Sequence, residues 1–323
     1  MRPLTAAELG GTWGTVLLPI GEHDRIDWAR LAEDVDHLAA SGLHGLYAHG
    51  TAGEFYALDE QEHERVSELL ARRCEADGIP FQLGASHMSG RIGLDRIRRV
   101  RGLAPGAIQV TLPDWLPLGD DEVVGALDRM VDAADPIPLV LYNPPAAKTQ
   151  VGPELYGRLA AEVPSVIGIK VLGGDAEWFE AMRAAAPRLR VFVAGSRLAT
   201  GVRMGAAGSY SNVACLSPSG ARRWWDAMHA HPDAAADVER RIGEFLARAV
   251  APLQREGYAD PALDKFLAHT GGWSRAGTRT RWPHRWIPEA RAEAARPLAR
   301  RLVPELFEPR AAMSPGVKEK QAG

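Results

Sequence analysis

The chain is poor in cysteine, nearly balanced in charge and free of long apolar runs. Its 323 residues include two cysteines, Cys74 and Cys215, which lie far apart and in no metal-like spacing. Neither a disulfide framework nor a zinc knuckle is therefore expected, and a reducing cytoplasm is the natural compartment. The formal charge of -3 gives no general attraction to nucleic acid or to an anionic membrane surface.

Membrane-spanning and export signals are also missing from the sequence. No run approaches the roughly eighteen apolar residues of a membrane span. The first residues, MRPLTAAELGGTWG, lack the apolar core of a secretion signal. We therefore expect a cytoplasmic protein that neither contacts a membrane nor binds nucleic acid, and whose partner is a small soluble molecule.

What the chain does contain is a repeated alternation of short apolar runs and segments with helical spacing. This pattern is typical of a (β/α)8 barrel, a TIM barrel of the α/β class. A doubly wound open sheet is the alternative, but it would need a glycine-rich dinucleotide loop after the first strand, where the chain reads PIGEHDR. The eight expected strands lie near Thr15, Gly45, Phe81, Ile108, Leu139, Ile167, Val191 and Ser209.

The helical segments and the length of the chain set the expected domain boundaries. Asp27 is a plausible N-cap for the first helix, and only a short seventh helix fits between Arg197 and Met204. The chain beyond the eighth strand exceeds what one closing helix requires, so we expect a C-terminal helical extension with an irregular stretch over 271–288. The expected parts are an N-terminal lead at 1–10, the barrel at 11–220, the extension at 221–310 and a disordered tail at 311–323.

One charged residue stands out in the sixth apolar run, VIGIKVLGG. An unpaired ammonium is costly to bury, so Lys170 either extends its amine into water or has a specific task. In such barrels the active site lies at the C-terminal ends of the strands, where Lys170 ends the sixth run and Tyr142 the fifth. The position of Lys170 therefore favours a chemical role over a surface one.

A buried lysine beside a tyrosine suits chemistry on a ketone. An amine forms an imine only when unprotonated, and a water-poor pocket lowers the pKa of a lysine toward neutrality. The protonated imine stabilises a carbanion at the adjacent carbon, and the Tyr142 hydroxyl can shuttle protons. The backbone N–H groups of the tight turn from Gly50 to Gly53 would suit the carboxylate of a 2-keto acid.

Four motifs occur in register along the chain: GTAGE (50–54), YNPP (142–145), GIK with GGD (168–175) and GSYSN (208–212). Together they resemble the dihydrodipicolinate synthase and N-acetylneuraminate lyase superfamily. The resemblance implies a class I lyase in which Lys170 forms an imine with pyruvate or another 2-keto acid. It also implies that Tyr142 is the proton shuttle and that Thr51 links its hydroxyl to the relay.

The resemblance further implies a site without a metal or another cofactor, because the imine withdraws the electrons. Thr51 and Ala52 would hold the substrate carboxylate through their N–H groups, and the protein would be a homotetramer or homodimer. The residues expected to bind substrate are Gly50, Ala52, Gly53, Tyr210, Asn143, Asp114, Trp115 and His87.

Three departures from the family pattern bear on the substrate. Ala52 replaces a second hydroxyl residue, and Asp114 or Trp115 stands where the synthases carry a relay tyrosine. Lys148 is the only cation near the position of an arginine that meets the second carboxylate of the synthase product. We therefore expect an aldolase or dehydratase of a 2-keto sugar acid. The alternatives are 4-hydroxy-tetrahydrodipicolinate synthase proper and a catalytically weakened keto-acid-binding or regulatory barrel.

Several further side chains are candidates for other tasks. Tyr56 and Arg275, with His87 and Trp115, are candidates to contact the distal end of the substrate. The segment WSRAGTRTRWPHRW (273–286) interleaves basic and aromatic residues, and we expect an ordered crossing loop rather than a surface for single-stranded nucleic acid. The run RIRRVR (96–101) is expected to be the solvated face of the third helix.

Overall fold

Eight parallel strands form the centre of the computed structural model, which describes residues 1–307. The strands are β1 (Gly11–Thr15), β2 (Gly45–Ala48), β3 (Phe81–Gly84), β4 (Ala107–Val110), β5 (Leu139–Tyr142), β6 (Val166–Lys170), β7 (Arg190–Ala194) and β8 (Gly208–Tyr210). Each strand pairs with the next, and β8 pairs with β1, so the sheet closes into a barrel. The predicted TIM barrel is confirmed.

Helices follow the strands in turn. The first seven are α1 (Trp28–Ala40), α2 (Glu60–Asp77), α3 (Gly90–Arg101), α4 (Asp120–Ala134), α5 (Pro153–Glu162), α6 (Ala176–Ala185) and α7 (Leu198–Met204). After β8 come α8 (Asn212–Leu216), α9 (Pro218–Ala230), α10 (Pro232–Ala249), α11 (Ala251–Arg255), α12 (Asp260–Gly271) and α13 (Glu289–Leu302). Single 3-10 turns occupy Ala6–Glu8, Glu22–Asp24, Phe55–Ala57, Gly195–Arg197 and Pro304–Leu306.

Local sequence signals explain the helix boundaries. The carboxylate of Asp27 accepts hydrogen bonds from the backbone N–H groups of Ala29 and Arg30, so it is the N-cap of α1 as predicted. Asp59 and Glu62 form a capping box at the start of α2, which ends at Gly78 in the left-handed conformation. The seventh helix is short, as the spacing predicted.

The apolar side chains form two main layers of core. Inside the barrel, Trp13, Tyr47, Val140, Phe192 and Tyr210 fill the interior, and Leu9 packs with them from the N-terminal lead. Outside it, the branched side chains of the strands pack against the surrounding helices in one continuous cluster. The interior is therefore solid, and open space is left at the C-terminal ends of the strands.

The C-terminal helices pack back onto the barrel. α12 packs on α8, the helix that directly follows β8, and α13 packs on α12. Residues 272–288 contain no helix or strand, in agreement with the predicted irregular stretch. The boundary expected at 220 lies within α9, and the tail expected at 311–323 lies outside the described residues.

The face of α3 differs from the prediction at one residue. Ile97 and Val100 point inward as expected, but Arg96 is buried as well. Its guanidinium binds Glu60 at 2.7 and 2.9 Å and donates to the backbone carbonyl of Ser86 at 2.9 Å. Since its donors are satisfied inside, Arg96 ties the loops after β2 and β3 together instead of facing solvent.

None of the helices that the structure describes is both long enough and apolar enough to cross a membrane.

Candidate active site

A cavity of about 400 Å³ lies at the C-terminal end of the barrel. The strand ends form one side of it, with Thr15, Tyr142 and Lys170 among the lining residues. The C-terminal extension forms the other side through α10, α11 and α12. The extension therefore completes the wall of the cavity instead of lying elsewhere on the barrel.

Lys170 and Tyr142 are direct neighbours in this cavity. They end β6 and β5, and their Cα atoms are partners in the strand register. The Lys170 Nζ atom lies 4.0 Å from the centre of the Tyr142 ring, with the rings of Tyr47 and Tyr210 at 5.3 and 5.4 Å. The pairing of two adjacent strands is what brings the amine and the phenol together.

The surroundings of Lys170 make its amine more easily deprotonated. Burial lowers the pKa of Lys170 to about 8, although the nearby carboxyls of Asp264 and Asp260 and the Cys215 thiol oppose that shift. A lysine with this pKa has a useful neutral fraction near neutral pH, whereas a surface lysine is almost fully protonated. The amine can therefore act as a nucleophile.

The turn after β2 faces the same cavity. The Thr51 hydroxyl lies 3.4 Å from the Tyr142 hydroxyl. The turn closes through bonds from the N–H of Gly53 to the carbonyl of Gly50 and from the N–H of Glu54 to the carbonyl of Thr51. Gly53 is required there, because a Cβ would approach the Val16 carbonyl to 2.9 Å.

Two backbone donors of this turn remain free. Within residues 1–307, the N–H groups of Thr51 and Ala52 donate no hydrogen bond, and both residues line the cavity. Buried backbone N–H groups are rarely left without a partner. The turn is therefore suited to accept an anionic group such as a carboxylate.

A buried ion pair holds the end of the turn. Glu54 and Lys265, from α12, form a salt bridge in which neither side chain is exposed. The second carboxylate oxygen of Glu54 accepts from the backbone N–H of Arg281 at 2.7 Å, and Lys265 also donates to the Arg279 carbonyl at 2.7 Å. The position of the Thr51–Ala52 turn thus depends on the C-terminal extension.

The segment 273–286 is an ordered crossing loop, as predicted. The Arg281 guanidinium binds both carboxylate oxygens of Glu62 at 2.6 and 2.8 Å. The Trp273 indole donates to the Cys215 carbonyl at 2.7 Å, and the Arg279 guanidinium lies 4.6 Å from the Trp286 ring. Trp273 and Arg281 of this segment therefore attach it to the barrel.

Comparison with known proteins identifies the family. The family model described as the dihydrodipicolinate synthetase family matches residues 8–252. The chain belongs to this family. It is a lyase, as are the family members to which it is similar.

Two relatives and one solved structure are similar to the chain. The 4-hydroxy-tetrahydrodipicolinate synthase of Pseudomonas putida is 25% identical over 291 residues, which cover 89% of this chain and 96% of that protein. The trans-2'-carboxybenzalpyruvate hydratase-aldolase of a Nocardioides species is 30% identical over 178 residues, 53% of each chain. The structure of a Ruminococcus gnavus sialic acid aldolase matches with a TM-score of 0.80 at 15% sequence identity, over 93% of this chain and 99% of that chain. At this identity the similarity concerns the fold alone.

The packing of Ala52 explains one departure from the family pattern. Its side chain lies in a small apolar cluster with Leu17, Ala268 and Ala276, against Trp273. A hydroxyl at this position would meet apolar groups of the C-terminal extension, which is unfavourable without a partner. The alanine therefore fits the way this family member packs its extension on the turn.

Two residues expected to bind substrate, Asn143 and Tyr210, also make contacts within the framework. The Asn143 amide donates to the Thr149 carbonyl at 2.8 Å and accepts from the Val151 N–H at 3.0 Å, so it shapes the loop after β5. The side chain of Tyr210 is buried and donates to Gln82 at 2.7 Å, while the residue still borders the cavity. Gly50 begins the turn, and a side chain there would clash with the Tyr47 ring.

A second cavity, of about 200 Å³, lies on the other side of Tyr142 and Thr51. His87 and Asp114 line it, together with Tyr56. The His87 Nδ1 atom accepts from the Ser89 N–H at 2.9 Å, and Asp114 accepts from the Lys148 N–H at 2.7 Å. These residues are therefore near Tyr142 and Thr51 but outside the cavity that contains Lys170.

Trp115 and two expected cations lie apart from the main cavity. The Trp115 side chain is 68% exposed, and the Lys148 amine donates to the Trp115 carbonyl at 2.7 Å. Arg275 lies beside Glu33 on α1, with its N–H bound to Asp34, and lines neither cavity. Its expected contact with substrate is wrong, because the crossing loop attaches it to the outside of the barrel.

The carboxyls that face Lys170 were not among the residues predicted from the sequence. Asp260 and Asp264 of α12 both line the main cavity. A signal was present in the segment PALDKFLA (261–268), where Asp264 and Lys265 interrupt an apolar run. A charged residue within an apolar run also marked Lys170. Here Asp264 lines the cavity, and Lys265 pairs with Glu54 at the end of the turn.

Proposed function

We propose that this protein is a class I lyase that forms an imine between Lys170 and pyruvate or another 2-keto acid, and that it acts as an aldolase or dehydratase. The observation that supports this most strongly is an amine with a lowered pKa, placed beside a tyrosine in a cavity at the barrel mouth. An imine needs no metal, because its protonated nitrogen withdraws the electrons.

The residues around Lys170 suit the steps of imine formation. The 2-keto acid carboxylate would accept hydrogen bonds from the free N–H groups of Thr51 and Ala52. Burial raises the pKa of Tyr142, so its phenol keeps its proton at neutral pH and can donate it to a substrate oxygen. The Thr51 hydroxyl is close enough to Tyr142 to take part in the proton relay.

The charges of the cavity argue against dihydrodipicolinate synthesis itself. Among the residues described, Lys170 is the only cation that lines the cavity, whereas Asp260 and Asp264 add negative charge. A product with a second carboxylate would meet these carboxyls without a cationic partner, which is unfavourable. The proposal therefore concerns substrates whose distal end is uncharged, such as a 2-keto-3-deoxy sugar acid with neutral hydroxyls.

A second candidate is a hydratase-aldolase that acts on a 2-keto acid with an apolar tail. The wall contributed by the loop after β6 and by the extension is largely apolar, with Leu172, Leu246, Val250, Leu263 and Leu267. Such a wall would favour an aromatic or aliphatic group over a polyhydroxy chain. The Nocardioides relative is named for 2'-carboxybenzalpyruvate, a pyruvate whose arylidene ring carries a second carboxylate. Because the cavity has no second cation among the residues that the structure describes, the candidate substrate for this chain is an arylidene pyruvate without that carboxylate.

Reductive trapping tests the proposal. The protein would be incubated with pyruvate and with longer 2-keto acids, reduced with borohydride and weighed, and the modified peptide would be sequenced. We expect the mass of a reduced keto-acid adduct on Lys170. The absence of any adduct would favour a barrel that binds a keto acid without reacting. Release of pyruvate or of a semialdehyde from 2-keto-3-deoxy sugar acids and from arylidene pyruvates would separate the two candidates.

Removal of the Tyr142 hydroxyl should affect turnover more than binding. In Tyr142→Phe the ring beside Lys170 remains, so a 2-keto acid should still bind and be trapped after long incubation. Without the proton donor, turnover should fall by about 10² to 10⁴-fold. Steady-state kinetics with the active substrate would measure this. Normal turnover of the variant would remove Tyr142 from the mechanism.

We further propose that the protein is a homodimer or homotetramer. Several large apolar side chains are exposed around the second cavity: Met88, Trp115 and Leu116 are each more than 60% exposed, and Tyr56 is 42% exposed. Exposed apolar side chains grouped in this way are typical of a protein interface. Sedimentation equilibrium would distinguish a multiple of 34.9 kDa from the monomer.

A further inference from the structure

Helix α12 brings two carboxyls to the cavity that contains Lys170. Asp260 and Asp264 are one helical turn apart, and residues four positions apart lie on the same face of a helix. Both line the cavity, and they are the only acidic residues to do so within the described chain. Since α12 also carries Lys265, which binds Glu54, its position relative to the strand ends is held by a buried ion pair.

The Asp264 carboxyl lies among titratable groups from several elements. Within residues 1–307, the Asp264 carboxyl forms no salt bridge, and the adjacent Lys265 pairs with Glu54. Burial and the negative charge of Asp260 raise the pKa of Asp264 to about 7, whereas the Lys170 ammonium and the Cys215 thiol act in the opposite direction. The groups that face it are Asp260 on its own helix, Lys170 on β6, Cys215 on α8, Tyr47 on β2 and Tyr142 on β5.

Asp264 and Tyr142 occupy different parts of the cavity wall. Tyr142 and Thr51 also border the second cavity, whereas Asp264 and Cys215 border only the main one. Tyr142 is a phenol of raised pKa, which makes it a proton donor but a poor base at neutral pH. A carboxyl that gains and loses its proton near neutral pH is much better suited to act as a base.

We propose that Asp264 removes and returns the proton at carbon 3 of the 2-keto acid that is bound as an imine to Lys170. This inference rests on the proposed function of Lys170. In the forward step the bond between carbon 3 and its hydrogen breaks, and its electron pair forms a double bond between carbons 2 and 3. The electron pair of the protonated C=N bond moves onto the nitrogen, and the proton goes to the Asp264 carboxylate.

The reverse step uses the same groups. When the bond between carbons 3 and 4 is cleaved, the hydroxyl on carbon 4 gives its proton to the Asp264 carboxylate and its fragment leaves as an aldehyde, and the electron pair of the broken bond forms the same enamine. The protonated Asp264 carboxyl then delivers its proton to carbon 3, and the nitrogen pair re-forms the C=N bond. Hydrolysis by water releases the keto acid and returns the free amine of Lys170. No reactant other than the substrate and water takes part in these steps.

Exchange of the pyruvate methyl hydrogens for deuterium tests this assignment without the unidentified substrate. Wild-type protein in D₂O should exchange them, as measured by proton NMR, with a rate that rises as Asp264 ionises. In Asp264→Asn we expect the exchange rate per trapped imine to fall by at least about 10²-fold. Trapping of pyruvate by borohydride should stay within about twofold. Asp264→Glu, which keeps a carboxylate, should regain part of the exchange.

Asp260→Asn is the matched variant on the same helix face. It removes the neighbouring negative charge, so the pKa of Asp264 should fall and the rise in exchange should move to lower pH. An Asp264→Asn protein that exchanges at the wild-type rate with an unchanged pH profile would overturn the assignment. So would a folded Asp264→Asn protein that no longer traps pyruvate, because Asp264 would then act in imine formation. Failure of the wild-type protein to trap any 2-keto acid is a separate result, which counts against the proposed function.

Discussion

Lys170→Ala should abolish the trapping of 2-keto acids and lower turnover by at least about 10⁴-fold, the scale seen when a covalent nucleophile is removed. Lys170 is the only amine that lines the cavity within the described chain, so no other group there can form the imine. Mass spectrometry after incubation with pyruvate and borohydride measures the first effect, and steady-state kinetics the second. The variant should remain folded, because the facing Asp264 carboxyl has a pKa of about 7 and can take up a proton when the ammonium is removed.

The pH dependence of trapping reports the protonation state of the same amine. Only the neutral amine reacts, and burial lowers the pKa of Lys170 to about 8. The initial trapping rate of the wild-type protein should therefore rise with pH and level off above about 8. Lys148→Ala is the control, because that lysine contacts Trp115 outside the cavity, and it should trap like the wild type. A Lys170→Ala protein that still gained the adduct would show that another amine is responsible.

Lys265→Met should destabilise the protein by about 3 to 5 kcal/mol, because it leaves the buried Glu54 carboxylate without its cation. Because methionine is nearly as long as lysine, the variant loses the positive charge but little side-chain volume. Urea unfolding would measure the change in the free energy of unfolding. Since Glu54 ends the turn that carries Thr51, the apparent affinity for the keto acid should also fall.

Two comparisons separate the buried charge from general effects of substitution. The double variant Glu54→Gln with Lys265→Met removes both charges and should recover part of the lost stability. Arg248→Met breaks an exposed pair with Glu244 and should cost at most about 1 kcal/mol. If Lys265→Met lowered the free energy of unfolding no more than Arg248→Met does, the buried pair would not stabilise the protein more than an exposed pair.

The residues at the strand ends could be found from the sequence for a physical reason. Parallel strands in a closed barrel end at the same face, so Lys170 and Tyr142, each the last residue of an apolar run, had to come together. Thr51 followed from the same rule, because the turn after β2 opens on that face. The pairing of Lys170 with Tyr142 does not depend on how the C-terminal extension is packed.

The residues contributed by the extension could not be placed in this way. Asp264 is 94 residues beyond Lys170 in numbering, and its place opposite the amine depends on how α12 packs on α8. Arg96 looked solvated because a run of arginines is usually exposed, but Glu60 and the Ser86 carbonyl give its donors internal partners. Arg275 was expected in the site, and the path of the crossing loop leaves it beside Glu33.

The sequence alone thus determined the barrel and the proximity of Lys170 and Tyr142, because hydrophobic periodicity and the order of the strands set which residues lie at the barrel mouth. Its motifs indicated the family. Only the tertiary structure decided what faces that pair. The helices after β8 have apolar faces whose partners are distant in sequence. Their packing against one another and against the GTAGE turn, anchored by Glu54 and Lys265, selects one arrangement. In that arrangement a carboxyl stands opposite the amine.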